Sequence, residues 1–382
     1  MPFTKPVEKT FDTAREINGQ PDLWKQCQQL IRSHEESITT FLVENDIHPD
    51  NDQNIILTGA GTSGFIGQVA QYAFWEQGFC NARAVPTTDL VTHFNAIVDT
   101  TKPLLLISFG RSGNSPESEA VYDLANKYVS RIYHMVITCN PEGRLAEKAA
   151  DSDNSYLLVL PQEAEDQGLA MTGSFTGMLL SILLIATIHQ QSPKNSLISQ
   201  LTQYGNIILH DYFDTLKQIS QLDFKRIVFL GDGPNLGLAR EAQLKVQELT
   251  DGLCIGKHDS FLGFRHGPKA VLDDETLLVY LMSNQLRVFR YQFDLVKQVS
   301  DQQLALHTLA VGNQSEVENH VDTTIELPVT SGLAEYWLPV PYILTAQLIG
   351  FFKSRSLDLN PDSPSRNNAI SRVVEGVTIY PS

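Results

Sequence analysis

Residues 104–118 read LLLISFGRSGNSPES, and other parts of the chain repeat the pattern that they set. Four apolar residues follow Pro103 and precede a glycine- and serine-rich turn, which predicts a short buried strand. Ser115 is predicted as the N-cap of the next helix, and Pro116 suits its first turn because no N–H is needed there. The stretch therefore predicts a strand, a hydroxyl-rich turn and a helix N-terminus.

This turn has the features of an anion site. The N–H groups and the positive dipole end of a helix N-terminus attract negative charge, and Ser112 and Ser115 would add hydroxyl donors. The spacing matches neither the Walker loop nor the GxGxxG fingerprint, so nucleotide binding is not indicated. The alternative is structural, since Gly110 and Gly113 can make a tight turn that the serines merely cap.

A second turn of the same kind precedes this one. The predicted strand 54–58 runs into GAGTSG at 59–64, which places Thr62 and Ser63 at the start of another helix. Parallel strands end at one edge of their sheet, where doubly wound folds bind ligands. Two hydroxyl-rich turns at such an edge favour a phosphate site.

Alternating strands and helices predict an α/β fold with a largely parallel sheet. Further strands are predicted at 133–138 and 156–160. The order of strand, glycine turn and helix recurs in KRIVFLGDGPN at 225–235 and is followed by an apolar strand at 277–282, which indicates an internal duplication.

Helical spacing of apolar residues predicts an N-terminal helical arm, and the apolar run 178–188 predicts a buried helix too short to cross a bilayer. Residues 163–176 form either a substrate-facing loop or only the start of that helix. The predicted division is an N-terminal arm (1–50), a first domain (51–192), a connecting helix (193–222), a second domain (223–359) and a C-terminal tail near the active site (360–382).

Composition limits the partners and the compartment. The 382 residues carry 44 acidic and 28 basic side chains, a net charge of -16, without an extended basic cluster. Nucleic acid and anionic membranes are therefore not expected partners. The start lacks the pattern of a secretory signal, so we expect a cytoplasmic protein. Its four cysteines should stay reduced, and their scattered positions predict no metal site: Cys27, Cys80, Cys139 and Cys254.

The second half carries a different set of candidates. Lys245 and Glu248 lie three residues apart on a predicted helix, and His266 lies in the loop FRHGPK at 264–269. Spacing alone favours an ordinary helical ion pair and a histidine held in a turn. Near a phosphate site, however, a carboxylate and a histidine would suit proton transfers on a sugar phosphate.

Four motifs together resemble the double sugar isomerase (SIS) domain family, in particular its sugar-phosphate isomerases and deaminases. They are GAGTS at 59–63, SFGRSGNSPES at 108–118, LKVQELT at 244–250 and FRHGPK at 264–269. The resemblance covers nearly the whole chain. It implies two SIS domains, each a mainly five-stranded parallel sheet flanked by helices, in a homodimer or homotetramer that needs no cofactor.

The resemblance also implies the roles of individual residues. Glu248 would move a proton between C1 and C2, and His266, contributed by the partner subunit, would open the sugar ring. Substrate phosphate would be bound by Thr62, Ser63, Ser112 and Ser115, with further possible contacts from Gly61, Lys245, Asn367 and Asn368.

Two positions depart from the pattern of glucosamine-6-phosphate synthase, another member of the family. Arg111 replaces a glutamine beside the second phosphate serine, and it could contact phosphate or point to solvent. Ile370 stands where the synthase has a lysine in its closing segment, so the role of that lysine does not carry over. Residues 166–173 and the tail from Asn360 are the candidates for closing over substrate.

The expected activity is deamination of galactosamine 6-phosphate to tagatose 6-phosphate and ammonia. Isomerisation of neutral sugar phosphates needs nearly the same residues, and the preference between galactose and glucose configurations stays open. A non-catalytic sugar-phosphate sensor is the rival from another class, which the pairing of Glu248 with His266 disfavours. A purely structural scaffold would leave the two serine-lined turns unexplained.

Overall fold

The computed structural model describes residues 10–190, 194–313, 315–330, 332–374 and 376–380. The strands are β1 (Asn54–Thr58), β2 (Ala82–Ala84), β3 (Leu104–Gly110), β4 (Ile132–Thr138), β5 (Ser155–Val159), β6 (Arg226–Leu230), β7 (Ile255–Asp259), β8 (Thr276–Leu281), β9 (His307–Gly312) and β10 (Thr323–Glu326). The helices are α1 (Asp12–Ser33), α2 (Glu35–Glu44), α3 (Thr62–Glu76), α4 (Thr87–Ile97), α5 (Pro116–Tyr128), α6 (Arg144–Ala150), α7 (Gly173–Ala186), α8 (Lys194–His210), α9 (Phe213–Ser220), α10 (Pro234–Leu249), α11 (Phe261–Phe264), α12 (Leu286–Gln302) and α13 (Pro339–Ser356).

The strands form two five-stranded sheets, and all pairs in both are parallel. The first sheet has the order β2-β1-β3-β4-β5, and the second has the order β7-β6-β8-β9-β10. These orders are identical once the strands of each half are counted from its own beginning. The predicted α/β class and the predicted internal duplication are therefore confirmed.

Helices cover both faces of the first sheet. On one face, Ile56 of β1 and Leu106 of β3 pack against α4 and α5 through an apolar cluster that includes Phe94 and Val121. On the other face α3 lies against β1 so closely that a Cβ on Gly67 would come within 2.9 Å of the Leu57 side chain. Helix α7 packs on α3, and its all-round apolar sequence is buried as predicted.

The second sheet repeats this packing. Leu278 and Tyr280 of β8 contact α11 and α12 through a cluster that contains Phe261 and Phe289. Helix α10 covers the opposite face against β6 and β7, and α13 packs on α10 as α7 packs on α3. The duplication thus extends from the strand order to the helices that flank each sheet.

Contacts divide the chain into two compact units. The first-sheet unit comprises Asp22–Asp166, the segment 171–190 and the tail from Ile370. The second-sheet unit comprises the chain up to Pro21, Gln167–Ala170 and Asn195–Ala369. The boundary predicted between residues 192 and 193 lies outside the described residues, and the predicted domain limits stay a prediction. No helix of the described residues is long and apolar enough to cross a membrane.

Some elements differ from the prediction. The single connecting helix predicted for 193–222 is two helices, α8 and α9, and the N-terminal arm is likewise divided into α1 and α2. Four strands were not predicted from the sequence pattern: β2, β7, β9 and β10. Three of them are edge strands, which can be short or polar because only one neighbour must pair with them.

Acid should destabilise the protein through a histidine in β4. His134 is fully buried, its ring stacks on Tyr122 at 3.8 Å between centroids, and its Nε2 lies 3.3 Å from the Asn126 Oδ1 acceptor. Burial lowers the pKa of His134 from 6.5 to about 3. Because the folded pKa lies below the unfolded one, stability is intact above the unfolded pKa and is lost as pH falls towards the folded pKa.

Because His134 takes up a proton when the protein unfolds, we expect the free energy of unfolding to fall by about 2 kcal/mol between pH 7 and pH 5. Denaturant unfolding at both pH values, with wild type and His134→Gln in parallel, measures the contribution. The variant should lose about 2 kcal/mol less than wild type. Equal losses in the two proteins would contradict the assignment.

Candidate active site

The two predicted phosphate turns lie at one edge of the first sheet. One connects β1 to α3 and the other connects β3 to α5, and β1 and β3 are neighbouring strands. The chain order reverses between these strands, and such a switch point is where open α/β sheets form a crevice beyond their carboxyl ends. The structure therefore brings Thr62 and Ser63 to the same edge as Ser112 and Ser115.

The first turn requires glycine at two positions. Gly61 is the N-cap of α3 and has a φ of 54°, in the left-handed region that favours glycine. A Cβ on Gly59 would lie 2.6 Å from the Ser63 backbone carbon. Thr62 and Ser63 are buried in the first helical turn, and the Ser63 Oγ lies 4.0 Å from the Met171 sulfur.

The second turn is held by contacts from the loop after β4. The Asn140 side chain donates to the Ser112 carbonyl oxygen at 3.0 Å, and a Cβ on Gly143 would approach that oxygen to 2.4 Å. Ser115 occupies the predicted N-cap position, but its hydroxyl donates to Glu117 at 2.7 Å and does not cap the helix backbone. A bound phosphate would have to compete with this carboxylate for the Ser115 hydroxyl.

Arg111 does not point to solvent. Its side chain is only 6% exposed, and its Nη2 donates to the carbonyl oxygen of Arg372 in the tail at 2.5 Å. The alternative of a solvent-facing arginine is therefore wrong. The residue donates to the tail beside the second turn, and its contact with phosphate stays a prediction.

A buried charge cluster lies on α10 in the second-sheet unit. The Lys245 Nζ is 2.7 Å from the Glu248 carboxylate and 3.3 Å from that of Glu241. The side chains of Lys245 and Glu241 are essentially inaccessible, whereas that of Glu248 is 23% exposed. The predicted ion pair thus exists, and Lys245 also contacts a second, fully buried carboxylate.

Electrostatics keep this lysine charged. Burial alone would lower the pKa of Lys245, but the two carboxylates outweigh burial and hold the pKa above its usual value. Lys245 therefore fixes the Glu248 carboxylate by a charge-assisted contact, while the Glu248 side chain stays 23% exposed. Such a group is suited to act as a positioned base.

The other candidates of the second-sheet unit are exposed. His266 lies after α11, whose N-cap Ser260 accepts from the Gly263 N–H at 3.0 Å. Asn367 and Asn368 are exposed in the chain that follows α13, and Asn368 has a φ of 51°. Glu248, His266 and these two asparagines therefore belong to one unit, and the phosphate turns belong to the other.

Sequence reasoning missed two acidic residues. Glu241 precedes Lys245 by four residues, so helical spacing could have identified it, but only the structure shows its burial. Asp232 occupies the turn after β6, where it accepts from the Phe261 N–H at 3.2 Å and the Gln292 amide at 3.0 Å. Asp232 thus places a carboxylate in the turn of the second sheet that corresponds to the first phosphate turn.

No group of three or more His, Cys, Asp or Glu side chains among the described residues is arranged to hold a metal ion. All four cysteines lie within the described ranges, and all are free thiols. The candidate groups are thus hydroxyls and backbone amides in the first-sheet unit, and a carboxylate and a histidine in the second-sheet unit.

Known proteins are similar to this one along nearly its whole length. The SIS domain model matches residues 50–188. D-galactosamine-6-phosphate deaminase AgaS of Shewanella sp. (strain ANA-3) is 37% identical over 97% of this chain and 92% of that protein, and the Escherichia coli protein of that name is 38% identical over 97% and 95%. The crystal structure of tagatose-6-phosphate ketose/aldose isomerase from Escherichia coli matches with a TM-score of 0.87 and 36% identity, covering 97% of this chain and 96% of that one.

Proposed function

The chain belongs to the sugar isomerase (SIS) domain family, and we propose that it converts galactosamine 6-phosphate to tagatose 6-phosphate and ammonia. The observation that carries this function is the 37–38% identity with named deaminases over 97% of the chain. The motifs for phosphate binding and for proton transfer both lie within the matched length. The protein is thus an amino-sugar phosphate deaminase of the isomerase type.

The phosphate of the substrate binds at the two turns of the first sheet. Hydroxyls of Thr62, Ser63, Ser112 and Ser115 donate to its oxygens, together with backbone N–H groups of the helix starts. Arg111 adds positive charge beside Ser112, which offsets the overall charge of -16 locally. These contacts hold the sugar by the end that does not react.

The chemistry is a proton shift followed by hydrolysis. His266 assists ring opening, which exposes the C1 aldehyde, because an imidazole can both accept and return a proton. Glu248 takes the C2 proton to give an enolamine and returns a proton to C1, which leaves a C2 imine. Water adds to the imine, ammonia leaves, and a ketose 6-phosphate remains. Lys245 keeps the Glu248 carboxylate oriented throughout.

Exposure of His266 supports a shared site. A ring-opening histidine that faces solvent in one chain is suited to act on substrate bound by another. The proposal therefore includes a homodimer or homotetramer, and neither nucleic acid nor a cofactor is needed. The proposal also places the reaction in the cytoplasm.

The first experiment is to incubate the protein with galactosamine 6-phosphate and, in parallel, glucosamine 6-phosphate, and to measure ammonia and ketose phosphate together. We expect equal amounts of ammonia and tagatose 6-phosphate from the first substrate. In a third incubation, conversion of tagatose 6-phosphate to an aldose 6-phosphate, with no ammonia from either amino sugar, would favour plain isomerisation, as the name of the Escherichia coli structure suggests. Binding with no product from any of these substrates would favour a sensor.

Removing one phosphate-binding hydroxyl should weaken substrate binding without stopping chemistry. Ser112→Ala is expected to raise KM by about 10- to 100-fold, because a hydrogen bond to a charged group contributes about 1.5–3 kcal/mol. The kcat should change much less, since the hydroxyl is remote from C1 and C2. Ser130→Ala, an exposed serine of the same unit, is the matched control. A KM equal to that of the control would remove Ser112 from the site.

A further inference from the structure

One arginine of the tail connects the parts of the first-sheet unit that carry the two phosphate turns. The Arg372 guanidinium donates to the Asp166 carbonyl oxygen from Nε at 3.0 Å and from Nη2 at 2.5 Å. Its Nη2 also lies 3.3 Å from the Glu165 carboxylate. The Arg372 carbonyl oxygen accepts from Arg111 at 2.5 Å. The side chain of Arg372 therefore contacts residues 165–166, and its backbone carbonyl oxygen contacts Arg111.

The first of these segments leads to the Thr62–Ser63 turn. The fully buried Asp166 carboxylate caps α7, accepting hydrogen bonds from the backbone and side chains of residues 172–174 at 2.5–3.0 Å. Helix α7 packs on α3, which begins at Thr62, and Met171 contacts the Ser63 hydroxyl. A shift of residues 165–166 would therefore be transmitted to this turn.

The second segment is the Ser112–Ser115 turn itself. Arg111 directly precedes Ser112, and its side chain is buried, so its guanidinium cannot exchange the Arg372 carbonyl for water without a rearrangement of the tail. The two turns are thus connected through one residue whose side chain holds one segment and whose backbone holds the other.

We propose that Arg372 is a positioning residue that fixes the spacing of the two hydroxyl-rich turns and so sets the affinity for the phosphate group. The inference rests on the proposed function, since it assumes that both turns grip one phosphate. The essential feature is a fork of two hydrogen bonds, which Nε and Nη2 of Arg372 donate to the Asp166 carbonyl oxygen. The contact with Glu165 contributes little, because both side chains are about one-third exposed. A lysine cannot reproduce the fork.

The test uses inorganic phosphate as the probe, with binding measured by calorimetry, together with ammonia release from galactosamine 6-phosphate. The proteins are wild type, Arg372→Ala, Arg372→Lys and Arg131→Ala, the last being an exposed arginine of the same unit. We expect Arg372→Ala to weaken phosphate binding and raise KM, each by about tenfold, with kcat within about twofold of wild type. The lysine variant should be intermediate, and Arg131→Ala should behave as wild type.

The results separate this inference from the proposed function. If wild type binds phosphate but releases no ammonia, the deaminase function fails, while the phosphate affinities still decide the role of Arg372. Phosphate binding equal in wild type and Arg372→Ala would overturn the positioning role. If the alanine variant does not fold, the lysine variant decides, because an unchanged phosphate affinity there shows that the fork is not needed. A fall in kcat with an unchanged KM would also overturn it.

Discussion

Replacing Glu248 by glutamine should lower kcat by about 10²- to 10⁴-fold while leaving KM for the sugar phosphate within about twofold of wild type. The amide has nearly the same shape, and its oxygen can still accept from Lys245, which lies 2.7 Å from the carboxylate. It cannot take a proton from C2, however. Steady-state ammonia release from galactosamine 6-phosphate measures both constants.

Two controls make this result specific to the base. Glu318→Gln changes an exposed glutamate of the same unit and should leave kcat unchanged. Inorganic phosphate should bind equally to wild type and Glu248→Gln, because the phosphate turns belong to the other unit. Near-normal turnover by Glu248→Gln would exclude the residue as the base, and the C1–C2 proton shift would then need another group.

The strands that carry the site were predictable because their pattern is local. An apolar run bounded by a glycine turn identified β1, β3 and β6, and β1 begins and ends as predicted. Edge strand β7 has the sequence IGKHD and lacks such a pattern. Its pairing with β6 depends on tertiary context. The break between α8 and α9 was missed because apolar spacing continues across it.

The candidate residues were predictable by type but not by environment. Spacing places Lys245 and Glu248 on one helical face, yet the same spacing occurs in surface ion pairs that contribute little. Only the packing of α10 against α13 and the second sheet reveals that Lys245 is buried. Arg111 is a similar case, since its partner, Arg372, lies 261 residues away in the sequence.

Because the charge cluster on α10 is buried, removing its lysine should strongly destabilise the protein. Lys245→Met should reduce the free energy of unfolding by about 3–5 kcal/mol, because breaking a buried ion pair leaves an uncompensated charge. It should also lower kcat, since Glu248 loses the contact that orients it. Denaturant unfolding at neutral pH gives the first quantity, and ammonia release gives the second. At that pH the raised pKa of Lys245 means that the wild-type cation is fully present.

The two carboxylates should respond differently to the loss of Lys245. Glu248 is 23% exposed and can turn towards water, whereas the Glu241 side chain has no exposed surface and must keep its charge buried. Most of the instability of Lys245→Met should therefore come from Glu241, and the double variant Glu241→Gln/Lys245→Met should regain most of the unfolding free energy. It should not regain kcat, because Glu248 remains without its partner. Recovery of activity along with stability would mean that Lys245 only neutralises Glu241 and does not position the base.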